Sequence, residues 1–334
     1  MQFGYSERCL AHDTGERHPE NPDRLRAIRR GLAKRHGVEY AEADPASRAE
    51  IAAVHDEGYV EELAAFVEAG GGSWDPDTVA SEGTWDAALT AAGLAQWAAK
   101  EALDGSNGRH TPFSLGRPPG HHAVTDDAMG FCFFNNAAVA AQTVLDAGAA
   151  DRVAIFDWDV HHGNGTQDIF YDREDVFYAS IHEDGLYPDT GDLDEIGSGD
   201  GEGTTANLPL AAGAGDADYR YAIDEAIGPA IARFDPDLVI VSAGFDAHRH
   251  DPISRMRVSS EGYAMMTDQV RSLTDDIDAA DAYVLEGGYG LDTLAEGVSM
   301  VHETYDGRSP VEADDGPDDK TEQLVGELRS LLGL

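Results

Sequence analysis

The segment Asp157-Trp158-Asp159-Val160-His161-His162-Gly163-Asn164 places two carboxylates and two imidazoles within six residues. It follows Val153-Ala154-Ile155-Phe156, an apolar run that reads as a buried strand. Asp159 and His161 stand at i and i+2, so an extended chain points both to one side. An oxygen ligand and a nitrogen ligand on one face suit a zinc ion. A second apolar run, Leu238-Val239-Ile240-Val241, leads into Ser242-Ala243-Gly244-Phe245-Asp246. Parallel α/β sheets place ligands beyond the carboxyl ends of their strands. Two such strands would bring Asp246 beside Asp159 and His161. Two Asp and one His leave zinc formally neutral, with open positions for water and substrate, as a catalytic centre needs.

Two further pieces carry chemistry. Arg117-Pro118-Pro119-Gly120-His121-His122 puts adjacent histidines on an irregular loop. Imidazoles titrate near neutrality, so His121 and His122 are candidates for general acid and base beside a metal-bound water. Glu286-Gly287-Gly288-Tyr289 follows the apolar Tyr283-Val284-Leu285. The glycines let the backbone turn sharply and aim Tyr289, whose phenol can donate to a developing oxyanion.

The elements that would position these residues are visible as strand-like runs near 113–116, 153–157, 176–181, 238–243 and 283–286. They alternate with Ala-rich helical stretches such as Gly83 to Leu103 and Ala137 to Ala147. That alternation predicts a single α/β domain over 1–334, with three α/β/α layers and a mainly parallel sheet. A stretch rich in Gly, Pro and acid, Gly307 to Asp319, reads as a loop, and Thr321 to Leu334 as a terminal amphipathic helix. Cys9 and Cys132 make no disulfide framework. The first residues lack a charged and apolar leader pattern, and no run approaches the length of a membrane span. The expectation is a soluble, cytoplasmic protein that binds neither membrane nor nucleic acid, since no basic patch exists to meet phosphates.

In this order the motifs resemble those of the zinc-dependent histone deacetylase family, in particular its class II and acetylpolyamine amidohydrolase branch. His12-Asp13-Thr14-Gly15 with His18-Pro19-Glu20-Asn21-Pro22-Asp23-Arg24 looks like the family's N-terminal loop. Arg117 to Ala123 and Gly130-Phe131-Cys132-Phe133-Phe134-Asn135-Asn136 match its central signature. Asp157 to Gln167, Ser242 to Asp246 and Glu286 to Tyr289 complete it. The resemblance implies the arginase–deacetylase fold. It implies Asp159, His161 and Asp246 as zinc ligands, His121 and His122 as the tandem histidines, Asp157 as partner of His121, and Tyr289 as the group that polarises the substrate carbonyl. It places Phe131 and Tyr187 as walls of an acyl-lysine tunnel, and the Gly130 carbonyl against the substrate amide. Asn164 stands where class I members carry aspartate beside the second histidine. A structural potassium would sit on Asp157, Ser180 and the carbonyls of Asp159, His161 and Ile181. A second cation would use carbonyls near Phe170, Arg173 and Val176. Arginase-like relatives carry aspartate where this chain has Gly163 and Gly244, which favours one transition metal.

The sequence thus reads as a zinc-dependent amidohydrolase, with one zinc per chain, that removes an acetyl or related acyl group from acetyl-lysine or an acetylpolyamine. A polyamine-selective relative would carry glutamate where Ile253 follows Asp251-Pro252. The other reading is a non-catalytic acyl-binding or regulatory module. It predicts loss of a ligand, a tandem histidine or the tyrosine, and none is lost. The N-terminal loop could shape the tunnel mouth of a neighbouring subunit, so a homo-oligomer is allowed.

The chain has 23 basic and 64 acidic residues, a net charge of −41. Self-repulsion on that scale disfavours a compact fold at low salt, and the pattern is that of a protein adapted to molar salt. Melting temperature and turnover should rise steeply between about 0.1 M and 1 M salt, as the screening length shortens from about 10 Å to 3 Å. A potassium site at Asp157 and Ser180 should add a difference between KCl and NaCl at equal ionic strength. Full stability in low salt would contradict the halophilic reading.

Overall fold

The computed structural model describes residues 1–105, 108–311 and 316–334. In chain order, its strands are β1 (Gln2–Gly4), β2 (Glu39–Ala41), β3 (Gly72–Ser73), β4 (Val79–Ala80), β5 (Pro112–Ser114), β6 (Val153–Asp157), β7 (Val176–Glu183), β8 (Thr205–Leu210), β9 (Leu238–Ala243) and β10 (Ala280–Leu285). Eight form one sheet in the order β2-β1-β5-β10-β9-β6-β7-β8. Every pairing in it is parallel. Strands β3 and β4 form a separate antiparallel pair.

The central strands β6, β7 and β9 are buried along their whole length, because helices cover both faces. Alternate residues divide the core in two. Ile155, Tyr178, Ile240 and Val284 pack with the alanines of the helices Thr84–Leu103 and Asn136–Asp146. Phe156, Val239, Val241 and Leu285 pack on the other side with Tyr263, Met266 and Val270 of the helix Ser260–Ile277, and with Leu294 and Val298 of the helix Leu291–Tyr305. The terminal helix spans Asp319–Leu332, two residues ahead of the predicted range. Part of the predicted acidic loop, 312–315, lies outside the described residues. Among the described residues no helix is long and apolar enough to cross a membrane.

Register sets where the chemistry emerges. Asp157 pairs with Ser180 on one side and Ser242 on the other, and Ser242 pairs with Val284. The carboxyl ends of β7, β6, β9 and β10 therefore lie in one row. From β6 the chain builds outward through β7 and β8, then returns to the opposite side of β6 with β9 and β10. The order reverses between β6 and β9, and a parallel sheet opens its ligand crevice at such a point.

The N-terminal loop is fastened to this crevice by a buried ion cluster drawn from two of the quoted motifs. Glu20 Oε1 accepts from Arg117 Nε at 2.6 Å and from Arg24 Nη1 at 3.3 Å. Arg117 also donates to the carbonyls of Cys9 and His12. Burial alone would raise the Glu20 pKa, but Arg117, His12 and Arg24 outweigh it and hold it at about 2, against an ordinary 4.5. A depressed carboxylate contributes stability that is complete above its unfolded pKa and fades as pH falls toward the folded value. Glu20→Gln should cost about 3–5 kcal/mol at neutral pH, as loss of one partner of a buried ion pair does. The variant should also lose less stability than wild type between about pH 4.5 and pH 2. Denaturant unfolding across that range checks both, and equal acid sensitivity would show that Glu20 is not the titrating group.

Candidate active site

Asp159 and His161 follow directly on β6, and Asp246 lies just beyond β9. Their ligand atoms lie within 4.8 Å of one another, and all three residues are buried. His161 Nδ1 is 3.0 Å from Asp159 Oδ1 and 3.2 Å from Asp246 Oδ2. Each carboxylate is oriented through backbone N–H groups. Asp159 Oδ1 accepts from His161 N at 3.0 Å and Oδ2 from Gly287 N at 2.8 Å. Asp246 Oδ1 accepts from Val160 N at 2.9 Å, while its Oδ2 is buried with no hydrogen-bond partner. A buried carboxylate oxygen left open toward a second carboxylate and an imidazole is a donor set that fits a divalent cation. Among the described residues this is the one His/Cys/Asp/Glu group that converges in this way.

Glycines make the approach possible. A Cβ on Gly244 would fall 2.1 Å from Asp159 Oδ2, and one on Gly287 would fall 2.2 Å from Asp246 Oδ2. A Cβ on Gly163 would fall 2.3 Å from Asp157 Oδ2. The two positions read as excluding a second metal, Gly163 and Gly244, have no room for an aspartate side chain in this arrangement.

The tandem histidines sit on this cluster with different partners. His121 Nδ1 is 3.0 Å from Asp157 Oδ2, and its Nε2 is 3.8 Å from Asp159 Oδ1. His122 Nδ1 is 2.8 Å from Asn164 Oδ1. Burial opposes charge on both rings. On His121, Asp159 and Asp157 outweigh it and raise the pKa to about 10. On His122, burial is joined by repulsion from His121 and His161, and the pKa falls well below its ordinary value. The neutral Asn164 lacks the charge that would reverse this. Asp157 is itself held by Tyr178, whose hydroxyl donates to Oδ2 at 3.3 Å. Ser180, the expected potassium ligand, has its Oγ 2.9 Å from His182 Nδ1.

Gly130 and Phe131 form the centre of a two-residue turn closed by mutual Met129–Cys132 backbone hydrogen bonds. Both have positive φ, 56° and 71°, as this turn type requires. Gly130 is also needed for space, since its Cβ would fall 2.4 Å from His122 Cδ2 and 2.9 Å from Tyr187 Cε1. Phe at positive φ is uncommon. It is held here by its N–H donating to Thr78 Oγ1 at 3.2 Å and by the His18 ring 4.6 Å away. The Phe131 ring packs edge-on to Tyr289 at 5.8 Å, and the Tyr187 ring edge-on to His122 at 5.1 Å. The phenol of Tyr289 feels Asp246 and Asp159, and burial keeps it protonated.

Several supporting groups hold the site through contacts between distant parts of the chain. Glu286 Oε2 accepts from Gly120 N at 2.7 Å and His121 N at 3.2 Å, so the turn that leads from β10 to Tyr289 holds the histidine loop. Arg24 donates to the carbonyls of Glu286 and Gly288. Ile253 is half-buried, and its N–H donates to Asp251 Oδ1 at 3.0 Å. The Glu286 and Arg24 positions lie inside the motifs that carry the family resemblance. No periodicity marks Tyr178, Thr78 or Asp251 as functional.

Comparison with known proteins agrees with this geometry. The histone deacetylase domain pattern matches residues 18–305. The chain is 38% identical over 322 residues to rice histone deacetylase 10, chloroplastic, covering 89% of this chain and 72% of that protein. It is 38% identical to the histone deacetylase-like amidohydrolase of Pseudomonas aeruginosa, covering 86% of this chain and 81% of that one. A probable deacetylase of Archaeoglobus fulgidus is 39% identical, with 86% and 81% covered. The crystal structure of the HDA15 HD domain superposes with a TM-score of 0.91 at 38% identity, over 99% of this chain and 93% of that one. The protein belongs to the histone deacetylase family.

Burial works against charge on His161, but Asp159 and Asp246 outweigh it and raise its pKa to about 10. Without a metal, His161 therefore keeps a proton at neutral pH that an incoming cation must displace. Affinity for a divalent cation at this site should tighten by about tenfold per pH unit between roughly pH 6 and pH 8. Competition against a chromophoric chelator at fixed pH measures this. Affinity independent of pH would rule out a protonated resting His161.

Proposed function

We propose that this protein is a zinc-dependent amidohydrolase that releases acetate, or a related short acid, from an acylated amine. The observation that carries the reading is the convergence of Asp159, His161 and Asp246 with a differently polarised histidine pair and a tyrosine on the adjoining strand end. Zinc held by the three ligands would supply Lewis acidity for the amide carbonyl and lower the pKa of a water. His122, neutral and with Nδ1 turned to Asn164, presents Nε2 to take the water's proton. His121, charged and braced by Asp157, stabilises negative charge and can supply a proton to the leaving amine. Tyr289 would donate its hydroxyl hydrogen to the carbonyl oxygen as charge builds there. Phe131 and Tyr187 would line the approach, and the Gly130 carbonyl would accept the substrate amide N–H.

Ile253 offers no carboxylate at the position where a polyamine-selective relative would carry glutamate, which favours acyl-lysine over acetylpolyamine. We assign Asp157 and Ser180 to a structural potassium beneath the metal strand, a reading supported by their pairing in adjacent strands. We also infer a cytoplasmic setting. All the polar groups the reaction needs are present, which speaks against a non-catalytic acyl-binding module.

Turnover of acetyl-lysine peptides, acetylspermidine and acetylputrescine in high potassium chloride tests the reading. Acetyl-lysine peptide should be the best substrate. Tyr289→Phe should lower kcat about 10²- to 10³-fold with zinc retained, as removal of an oxyanion donor does. His122→Ala should likewise keep zinc and lose turnover. No hydrolysis of any acylated amine by zinc-loaded protein would overturn the proposal, and unchanged kcat in Tyr289→Phe would remove the tyrosine's role.

A further inference from the structure

We propose that Asp251 is a positioning residue that sets the backbone of Tyr289 relative to the ligand Asp246, an inference that rests on the proposed role of Tyr289. Asp251 is 7% exposed and lies on the loop that leaves β9 through Asp246. That loop is rigidly held. Arg249 N donates to Val258 O at 2.8 Å, Val258 N to Ala247 O at 3.1 Å and Asp251 N to His248 O at 2.7 Å. Ser254 Oγ donates to the carbonyl of Asp246 itself at 2.6 Å. From this frame one carboxylate oxygen, Asp251 Oδ2, accepts from Tyr289 N at 2.7 Å and Gly290 N at 2.9 Å. The other, Oδ1, accepts from Ile253 N at 3.0 Å.

The other backbone hydrogen bonds of the tyrosine's loop flank it: before it, Gly287 N is held by Asp159, Gly287 O by Phe245 N and Gly288 O by Arg24, and after it Gly290 O accepts from Leu294 N and Thr293 Oγ1. The contacts before it stop at Gly288, which has a φ of 116°, a conformation that favours glycine. Beyond it, Gly290 opens the helix Leu291–Tyr305 with no side-chain cap. Asp251 fixes the two N–H groups between that glycine and the helix, and its negative charge sits favourably near a helix N-terminus. The same carboxylate ties the backbone of Ile253 to that of Tyr289. A phenol displaced by about 1 Å loses on the order of 10²-fold in rate. Substitution of Asp251 should therefore act on turnover through Tyr289 and leave zinc and substrate binding in place. Asn at 251 could turn its one carbonyl oxygen to Tyr289 N and Gly290 N and lose only Ile253 N, whereas Ala removes all three contacts.

The test is a double-mutant cycle with zinc-loaded full-length protein and an acetyl-lysine peptide. Wild type, Asp251→Ala, Tyr289→Phe and the double variant are compared for kcat, KM and zinc content. Asp251→Ala should lower kcat about 10- to 100-fold, with KM within about twofold and one zinc retained. In the Tyr289→Phe background the same substitution should cost less than about twofold more. Equal cost in both backgrounds, a lost zinc or a change confined to KM would overturn the inference. A harmless Tyr289→Phe would instead overturn the proposed role of the tyrosine, and this inference with it. Should Asp251→Ala not fold, Asp251→Glu keeps the charge one methylene further out and is read by the same criteria.

Discussion

Two buried carboxylates, Asp159 and Asp246, face a single imidazole nitrogen at 3.0 and 3.2 Å. The site depends on that arrangement. Uncompensated carboxylates in a buried position repel one another and resist ionisation, so they persist as a pair only if positive charge joins them. The compensating charges are a raised His161, a raised His121 and, in the proposed zinc-loaded enzyme, the metal. Burial and the neighbouring Asp159 push the Asp246 carboxyl upward, while His121 and His161 hold Asp159 down. The two carboxylates that a metal would use are thus unequally ready to ionise, with Asp246 Oδ2 facing His161 at 3.2 Å as its one charged neighbour of opposite sign.

Much of the surrounding structure keeps that repulsive cluster rigid. Backbone N–H groups from Val160, His161 and Gly287 reach the two carboxylates, and Asp157 takes the N–H of Asp159 at 3.0 Å. At 244 and 287 the backbone passes so close that a Cβ would fall 2.1 Å from Asp159 Oδ2 and 2.2 Å from Asp246 Oδ2, which explains glycine there more directly than chain flexibility does. The strands arrive in one row because Asp157, Ser180, Ser242 and Val284 are in register. Side chains two to four residues past that row then converge without long loops. Glu286 and Arg24 carry the same order outward, one holding the histidine loop and the other the carbonyls before Tyr289.

The meeting of Asp159, His161 and Asp246, with the histidine pair beside them, was legible in the sequence because each segment follows a strongly apolar strand or lies on a Pro/Gly loop. Polar residues at such positions stand out against their background. The sheet was legible where its strands are buried on both faces, as at 153–157 and 238–243. It was not legible at β1, β2 and β8. The first two are three-residue strands near one edge, and β8 is interrupted by Asn207 and Pro209. The Glu20–Arg24–Arg117 cluster was hidden for another reason. A charged residue in a loop looks solvated until tertiary contacts bury it, and no local pattern distinguishes the two outcomes. The same holds for Asp251, whose partners lie 38 and 39 residues away. The extreme acidity stands apart from these details, since net charge speaks to solvent conditions and not to fold.

The most direct measurement is a zinc titration of metal-stripped protein in high potassium chloride, following hydrolysis of an acetyl-lysine peptide. The account predicts no turnover without metal, a linear rise, and saturation at one equivalent of zinc per chain, with no recovery at any equivalence in Asp246→Ala. Saturation at two equivalents, or full turnover by the metal-stripped protein, would contradict a single centre built from Asp159, His161 and Asp246.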